Sequence, residues 1–121
     1  MTFAGYRRDI PAVLAASDAL LLASEREGLN RSVLEAMASG IPVIGTDTRG
    51  ITDAVSFDAG WIVPKNDLGA LAHAIEAAAA DADDRRRRGA AARERAVSEF
   101  ALPRIIEAYE ALYREALSHR L

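Results

Sequence analysis

The chain has 121 residues, half of them hydrophobic, and a formal net charge of -3, which is enough for one modest domain with a core and gives no electrostatic footprint for nucleic acid. It has no cysteine, which excludes disulfides, thiolate chemistry and cysteine-ligated metals. The longest apolar run, Ala19 to Ala23, is far shorter than the ~20 residues that cross a bilayer. Charges at Arg7, Arg8 and Asp9 disfavour a signal peptide. We therefore expect a soluble, cytoplasmic domain.

Short apolar segments in the first half of the chain predict strands. A weak one lies around Thr2–Gly5, and clearer ones lie at Ala19–Leu22, Ile41–Gly45 and Gly60–Val63. Continuous apolar runs of this kind are typical of parallel strands that are buried on both faces.

Helical patterns alternate with these strands. The first helix is predicted to follow Asp9 as its cap, with Pro11 in its first turn and with Val13 and Leu14 facing inward. The second is predicted over residues 31–39, ending at the glycine that follows. Alternation of strand and helix favours an α/β fold with a short parallel sheet.

The last third is predicted to be helical throughout. Asp67 is the expected cap of its first helix, Gly89 is expected to interrupt or bend the second, and Pro103 is expected to start the third. Two apolar stripes are expected, Leu68, Leu71, Ala72 and Ile75 on the first helix, and Ile105, Ile106, Tyr109, Leu112, Tyr113 and Ala116 on the last.

Charged and titratable residues of this helical third are expected to be solvated. The run Arg85–Arg88 follows Asp81, Asp83 and Asp84, which stand four residues before Arg85, Arg87 and Arg88. This spacing predicts a self-neutralising helix face and therefore no nucleic-acid binding. His73 and His119 are both expected at the surface.

Two loops stand where ligands bind in open α/β sheets, beyond the carboxyl ends of the strands. Residues 24–32 lead directly into a helix, and residues 45–52 follow the next strand. The free N–H groups and the dipole at a helix start form an anion site. Gly28 lets a phosphate approach the main chain closely.

Two glutamates flank this anion site. Glu35 stands about one turn into the helix, and Glu27 stands at the mouth of the loop. A carboxylate repels phosphate but accepts hydrogen bonds from sugar hydroxyls. The pattern therefore indicates a sugar–diphosphate–ribose ligand. Its diphosphate would be bound by backbone N–H groups that lie between two carboxylates, and each carboxylate would bind sugar hydroxyls.

The segment from Glu27 to Glu35 is a Glu-x7-Glu motif, and Ala36–Ile44 follows it. Further signatures stand in order along the chain: Gly5–Ile10, Ser17–Ala19, Gly50 with Asp53, Gly60–Pro64 and Asp67. Together they resemble the second half of the C-terminal domain of family 4 glycosyltransferases, which have the GT-B fold. The resemblance covers nearly the whole chain and implies a partial Rossmann-like domain.

The resemblance also implies roles for individual residues. Glu35 would bind the donor ribose, and Glu27 would contact the donor sugar as the catalytic group. The main chain of Gly28–Asn30, which includes Leu29, would bind the diphosphate and the sugar. The donor would be a UDP- or GDP-sugar, transferred with retention and without an obligatory metal or other cofactor.

The second loop and the basic residues carry less definite expectations. Thr46, Asp47 and Gly50 are expected to border the cleft, although Thr46 and Asp47 taken alone favour a loop-shaping role. Arg31 and Arg49 are the nearest substitutes for the Arg/Lys pair with which the family grips the diphosphate, and each is equally suited to be a surface charge. That pair and the acceptor-binding N-terminal domain have no counterpart in this sequence.

Residues 1–121 are therefore expected to form one truncated nucleotide-sugar-binding domain, with little transferase activity alone. Asn30 replaces a proline common in the family, and Asp53 replaces a glutamate. We expect self-association through an exposed strand edge or the last helix, and a full enzyme that is cytoplasmic and peripheral at the inner membrane face, acting on a glycan or lipid-linked acceptor. The alternative is a non-catalytic interaction module, or a subunit that needs a separate N-terminal chain.

Overall fold

The computed structural model describes residues 1–118, and the prediction for His119 lies outside them. Helices and strands alternate along this part of the chain as α1 (Ile10–Ala15), β1 (Leu20–Leu22), α2 (Arg31–Ala38), β2 (Val43–Thr46), α3 (Arg49–Thr52), β3 (Gly60–Val63), α4 (Leu68–Ala80), α5 (Ala82–Glu99) and α6 (Leu102–Ser118). The three strands form one parallel sheet in the order β1-β2-β3, which confirms the predicted α/β class. No helix within residues 1–118 is both long and apolar enough to cross a membrane.

The two faces of the sheet bury different clusters, because successive side chains of a strand point to opposite faces. Val43 packs with the buried side chains of α2 and α5, among them Met37 and Ala92. Ile44, the next residue, packs with Ala74 and its neighbours on α4. The continuous apolar run of β2 thus reflects helices on both faces, as expected for a parallel strand.

The chain before α1 corrects two predictions. No strand forms at Thr2–Gly5, where every residue is exposed and Gly5 has a φ of 65°, a left-handed conformation that ends an extended run. Asp9 holds the N-cap position of α1, but its carboxylate accepts a hydrogen bond from Arg7 instead of capping the helix. Only Leu14 turns inward, and Val13 is 38% exposed, because a helix of six residues presents one narrow face to the core.

Helix α2 ends as predicted, but the glycine of α5 has an unexpected role. Gly40 follows the C-cap of α2 with a φ of 74°, the left-handed conformation in which many helices stop. Helix α5 runs continuously through Gly89, so an interruption at this glycine, one of the two predicted outcomes, is wrong. A Cβ on Gly89 would lie 2.1 Å from the Gly40 carbonyl oxygen, and the glycine is therefore the point of closest approach between α5 and the end of α2.

Three of the four arginines of the run pair within α5, whereas Arg85 pairs with Asp18 outside the helix, at 3.5 Å. Arg88 bonds Asp84 at 2.8 Å with the expected spacing of four residues, whereas Arg87 also pairs with Asp84 and Arg86 pairs with Asp83, at a spacing of three. Asp81 does not pair with an arginine of the run; it caps α5 by accepting from two backbone N–H groups.

Two arginines of the run also hold other elements in place, which the charge pattern did not predict. Arg88 donates 2.7 Å hydrogen bonds to the carbonyl oxygens of Phe57 and Gly60 and lies 4.6 Å above the Trp61 ring. Arg85 donates to the carbonyl oxygens of Ala78 and Ala79 at the end of α4. These bonds fasten α5 to the start of β3 and to α4.

The predicted apolar stripes are largely exposed. On α4 the cap at Asp67 is confirmed. Leu71 is half-buried against the cluster around Ile44, but Leu68 is 80% and Ile75 41% exposed, and the buried positions of α4 are Ala74 and Ala78. Small side chains face the sheet because α4 lies close to β2 and β3. Helix α6 buries none of its residues, so its whole apolar stripe, from Ile105 to Ala116, remains open.

Candidate functional site

The two predicted loops meet at the carboxyl edge of the sheet, and the hydroxyl of Thr46 joins them. Thr46 is the last residue of β2 and is only 8% exposed. Its Oγ1 donates to the backbone oxygen of Ser24 at 2.6 Å and accepts from the backbone N–H of Ser24 at 3.0 Å. The loop after β1 is therefore fixed to the end of β2 through both polar backbone groups of one residue.

Gly50 packs directly against the backbone of the same loop. A Cβ on this buried glycine would lie 1.9 Å from the carbonyl oxygen of Gly28 and 2.6 Å from that of Glu27. These are backbone atoms, which cannot turn aside as a flexible side chain does. Gly50 thus brings the first turn of α3 into direct contact with the main chain of the predicted site.

Both carboxylate oxygens of Glu27 are held by neutral donors. Asn30 Nδ2 donates to Oε2 at 3.1 Å, and Ser24 Oγ donates to Oε1 at 2.8 Å. These two hydrogen bonds, the one from Asn30 first, hold the pKa of the half-buried Glu27 carboxyl below its ordinary value, against a smaller opposing effect of burial. The loop therefore presents an oriented, ionised carboxylate.

Asn30 has a second role as the cap of α2. Its Oδ1 accepts from the backbone N–H groups of Ser32 at 2.9 Å and Val33 at 3.4 Å, which satisfies two of the groups that a helix start leaves unpaired. A proline at this position provides neither the cap nor the bond to Glu27. The two ends of one amide thus join the start of α2 to the Glu27 carboxylate.

The main chain between Glu27 and Ser32 offers unused donors. Within residues 1–118, the N–H groups of Gly28, Leu29, Asn30 and Arg31 donate to no protein atom. The position of a Cβ on Gly28 has no other atom within 4 Å, so the backbone is open to solvent there. Free N–H groups at a helix start in an accessible loop suit an anion such as a phosphate.

Glu35 lies one turn into α2, with its carboxylate tied back toward the start of the helix. Arg31 Nε donates to Glu35 Oε1 at 2.8 Å, and the Glu35 side chain is 35% exposed. Arg49 makes a looser pair with Asp53, at 3.6 Å, in which both side chains are exposed. Each basic candidate is thus paired with a carboxylate of its own helix, the usual arrangement of a surface ion pair.

The remaining candidate residues border the loops. The backbone N–H of Asp47 donates to the Val63 carbonyl oxygen at 2.8 Å, and its side chain is exposed. Leu29 is 56% exposed. All nine predicted site residues therefore lie on the two loops or on the first turns of α2 and α3, with Thr46 and Gly50 as packing contacts and the others on the open side.

Sequence reasoning gave no role to two residues beside the site. Ser24 was only a member of the first loop, yet it bonds both Glu27 and Thr46; its position three residues before the glutamate was the available signal. Lys65, the only lysine of the chain, follows β3 and lines a cavity of about 140 Å³ together with Ser24 and Thr46. Nothing in its local sequence indicates that proximity.

Comparison with known proteins gives consistent matches. Residues 1–95 match the family described as glycosyl transferases group 1. The chain is 34% identical over 116 residues to N-acetyl-alpha-D-glucosaminyl L-malate synthase of Bacillus anthracis, covering 95% of this chain and 30% of that protein. It is also 34% identical over 121 residues to the lipopolysaccharide core biosynthesis mannosyltransferase LpsB of Rhizobium meliloti, covering 95% and 34%.

Solved structures agree with the fold. HepE of Anabaena, in complex with UDP, superimposes with a TM-score of 0.85 at 27% identity, covering 93% of this chain and 32% of that one; the same protein is also known in complex with UDP-glucose. This likeness confirms the predicted partial Rossmann-like domain of GT-B type. The chain spans about a third of the length of these relatives.

Proposed function

This chain belongs to the glycosyl transferases group 1 family, and we propose from that premise that residues 1–121 form one nucleotide-sugar-binding domain, the second half of the C-terminal domain of a retaining, family 4 glycosyltransferase. The observation that carries this proposal is the row of four unused N–H groups at residues 28–31 between the carboxylates of Glu27 and Glu35. The arrangement suits a ligand with a charged diphosphate between two hydroxyl-bearing sugars.

The proposed ligand lies along the start of α2. The diphosphate accepts from the N–H groups of residues 28–31, where the helix dipole offsets its charge without an obligatory metal. Glu35 accepts from the ribose hydroxyls, and Glu27 contacts the transferred sugar beside the reacting carbon. Transfer then depends on positioning and on stabilisation of the leaving diphosphate.

The other candidate residues take supporting roles in this proposal. Thr46 and Gly50 shape the loop, because their contacts are with the backbone of Ser24, Glu27 and Gly28. Asp47 borders the open side. Arg31 orients Glu35 through their 2.8 Å hydrogen bond, so its charge is partly neutralised before any phosphate binds.

A UDP-sugar is the donor best supported, because HepE is known with UDP and UDP-glucose; a GDP-sugar remains the alternative. A glycan or lipid-linked acceptor is supported by relatives such as the mannosyltransferase of lipopolysaccharide core biosynthesis. We place the full enzyme in the cytoplasm, peripheral at the inner membrane face where such acceptors are assembled. The acceptor site belongs to an N-terminal domain or chain, so the isolated chain has little activity.

A second candidate function is a non-catalytic interaction module or a subunit completed by another chain. The fully exposed apolar stripe of α6 favours it, because solvent-facing rows of this kind mark contact surfaces. Nucleotide binding separates the two: a working donor site supports the enzyme, and a chain that binds neither UDP nor GDP supports the module.

Calorimetric titration with UDP and GDP tests the proposed donor site. Glu35→Gln keeps the shape of the side chain but removes its charge, so UDP binding is expected to weaken about tenfold, as for the loss of a charge-assisted hydrogen bond. Glu76→Gln is the matched control, because Glu76 is an exposed glutamate on α4. Equal UDP affinity of Glu35→Gln and the parent chain would contradict the assignment of Glu35.

A further inference from the structure

The Glu27 carboxylate is oriented by contacts that begin on the neighbouring strand. Ser24 donates its hydroxyl to Glu27, and the backbone of Ser24 is itself fixed on both sides by the Thr46 hydroxyl. Among the described residues, the two bonds of Thr46 are the only hydrogen bonds that reach residues 23–30 from a distant part of the chain. The buried Thr46 hydroxyl is therefore the hydrogen-bonding anchor of Ser24 and, through Ser24, of one oxygen of Glu27.

The geometry points to Thr46 as a positioning residue: it holds Ser24, and Ser24 in turn fixes Glu27 for contact with the transferred sugar. This inference rests on the proposed role of Glu27. The Thr46 hydroxyl is buried and makes both of its hydrogen bonds to Ser24, so we assign it no contact with the ligand. Thr46 lies at the end of a strand that is buried along its whole length, so its hydroxyl is a rigid reference point. A loop fastened there keeps its shape while the N–H groups of residues 28–31 stay open.

The second donor to Glu27 explains why this anchor matters. Asn30 holds the other oxygen of Glu27 and is itself fixed as the cap of α2. The Glu27 carboxylate is thus held by two hydrogen bonds, one from a residue fixed to α2 and one from a residue fixed to β2. Loss of either leaves the side chain free to rotate about the remaining bond, which costs the orientation that contact with a sugar hydroxyl requires.

Two substitutions isolate the hydroxyl of Thr46. Thr46→Val keeps the shape of the side chain and removes both bonds to Ser24, whereas Thr46→Ser keeps the hydroxyl and is expected to restore the parent behaviour. Thr48→Val is the matched control, because Thr48 is also buried, at 4% exposure, and its Oγ1 has no partner within the described residues.

The first readout is the titration of the Glu27 carboxyl carbon, followed by NMR in the free chain. Loss of the Ser24 hydrogen bond is expected to move the pKa of Glu27 up, toward its ordinary value, in Thr46→Val only. The donors that set this pKa, Asn30 beside α2 and Ser24 beside β1, are both neutral. A Glu27 pKa that is the same in Thr46→Val and the parent chain would overturn the inference.

The second readout compares UDP-glucose with UDP. Because Glu27 is assigned to the sugar and not to the nucleotide, Thr46→Val is expected to weaken the binding of UDP-glucose about three- to tenfold more than it weakens the binding of UDP. Equal weakening of both ligands would show general loss of structure and overturn a positioning role. A parent chain that binds neither ligand counts against the proposed function alone, because the titration of Glu27 still decides whether Thr46 positions it.

Discussion

Gly28 and Gly50 lie against each other at the site, but their surroundings differ in the space that a side chain would have. Around Gly28 the space for a Cβ is empty, whereas at Gly50 it is filled by the main chain of Glu27 and Gly28. In the proposed donor site Gly28 would give a ligand access to the main chain, whereas Gly50 is required by packing. At the scale of single residues, binding and folding can therefore be changed separately.

Paired alanine substitutions test this separation. Gly50→Ala is expected to lower the free energy of unfolding by about 1–3 kcal/mol or more, because the methyl group meets backbone atoms that must move. Gly28→Ala is expected to change it by less than about 0.5 kcal/mol but to weaken UDP binding, since the methyl group stands where a phosphate would approach. Urea unfolding and UDP titration of both variants check the pair, and equal unfolding free energies would contradict the packing role of Gly50.

Single residues also show how far the sequence predicts the site. The spacing from Glu27 to Glu35 and the place of Gly28 before a helix were sufficient to locate the loop that leads into α2, whereas the capping role of Asn30 came from the structure. The role of Ser24 was not predictable, because its partner Thr46 is 22 residues away and only the pairing of β1 with β2 brings them together. Lys65 was missed for the same reason.

At the scale of elements, α5 joins α2, α4 and β3. Its arginines bond carbonyl oxygens at the end of α4, at the end of α2 and before β3, and Gly89 allows α5 to touch the Gly40 turn. Each bond satisfies a carbonyl group that a helix end or loop leaves without a partner. The helix that looks least like a core element by composition is therefore a central support of the fold.

Two helical glycines test the contact between α5 and α2. Gly89→Ala is expected to destabilise the chain by about 1–3 kcal/mol or more, because the new Cβ would lie 2.1 Å from a backbone oxygen. Gly69→Ala on α4 is the control: its nearest atom is 3.4 Å away, and alanine is expected to stabilise the helix by about 0.5–1 kcal/mol. Thermal or urea unfolding separates the two, and a neutral Gly89→Ala would contradict the close approach.

Local signals predicted the elements better than their packing. The strand at Gly60–Val63, the stop at Gly40 and the cap at Asp67 depend on neighbouring residues, and all three are confirmed. The strand at Thr2–Gly5 and an interruption at Gly89 were wrong. A strand needs a pairing partner, and a glycine within a helix can be required by the element that packs against it. Composition alone contains neither kind of information.

At the scale of the whole molecule, two apolar surfaces remain uncovered. Leu21 on the outer strand β1 is 47% exposed beside Ile44 and Ile75, around a groove of about 390 Å³. Along α6, Tyr109, Leu112 and other members of the stripe are also open. Rows of exposed apolar side chains on this scale favour association.

We predict that the isolated chain self-associates through one of these surfaces. Light scattering at high concentration is expected to give a mass above that of the monomer. Leu112→Glu lowers the mass if α6 is the contact, and Leu21→Glu lowers it if the edge of β1 is, since a charge on either surface opposes burial. A monodisperse monomer at all concentrations would refute the prediction.

The central claim, that the start of α2 is a donor-binding site, is tested most directly by an amide NMR titration with UDP and then GDP on the parent chain and on Glu35→Ala. We expect saturable shifts at residues 28–31 with one of the nucleotides, weakened in the variant, because the unused N–H groups there take the diphosphate while Glu35 takes the ribose. The absence of saturable shifts at these residues with either nucleotide would contradict the claim.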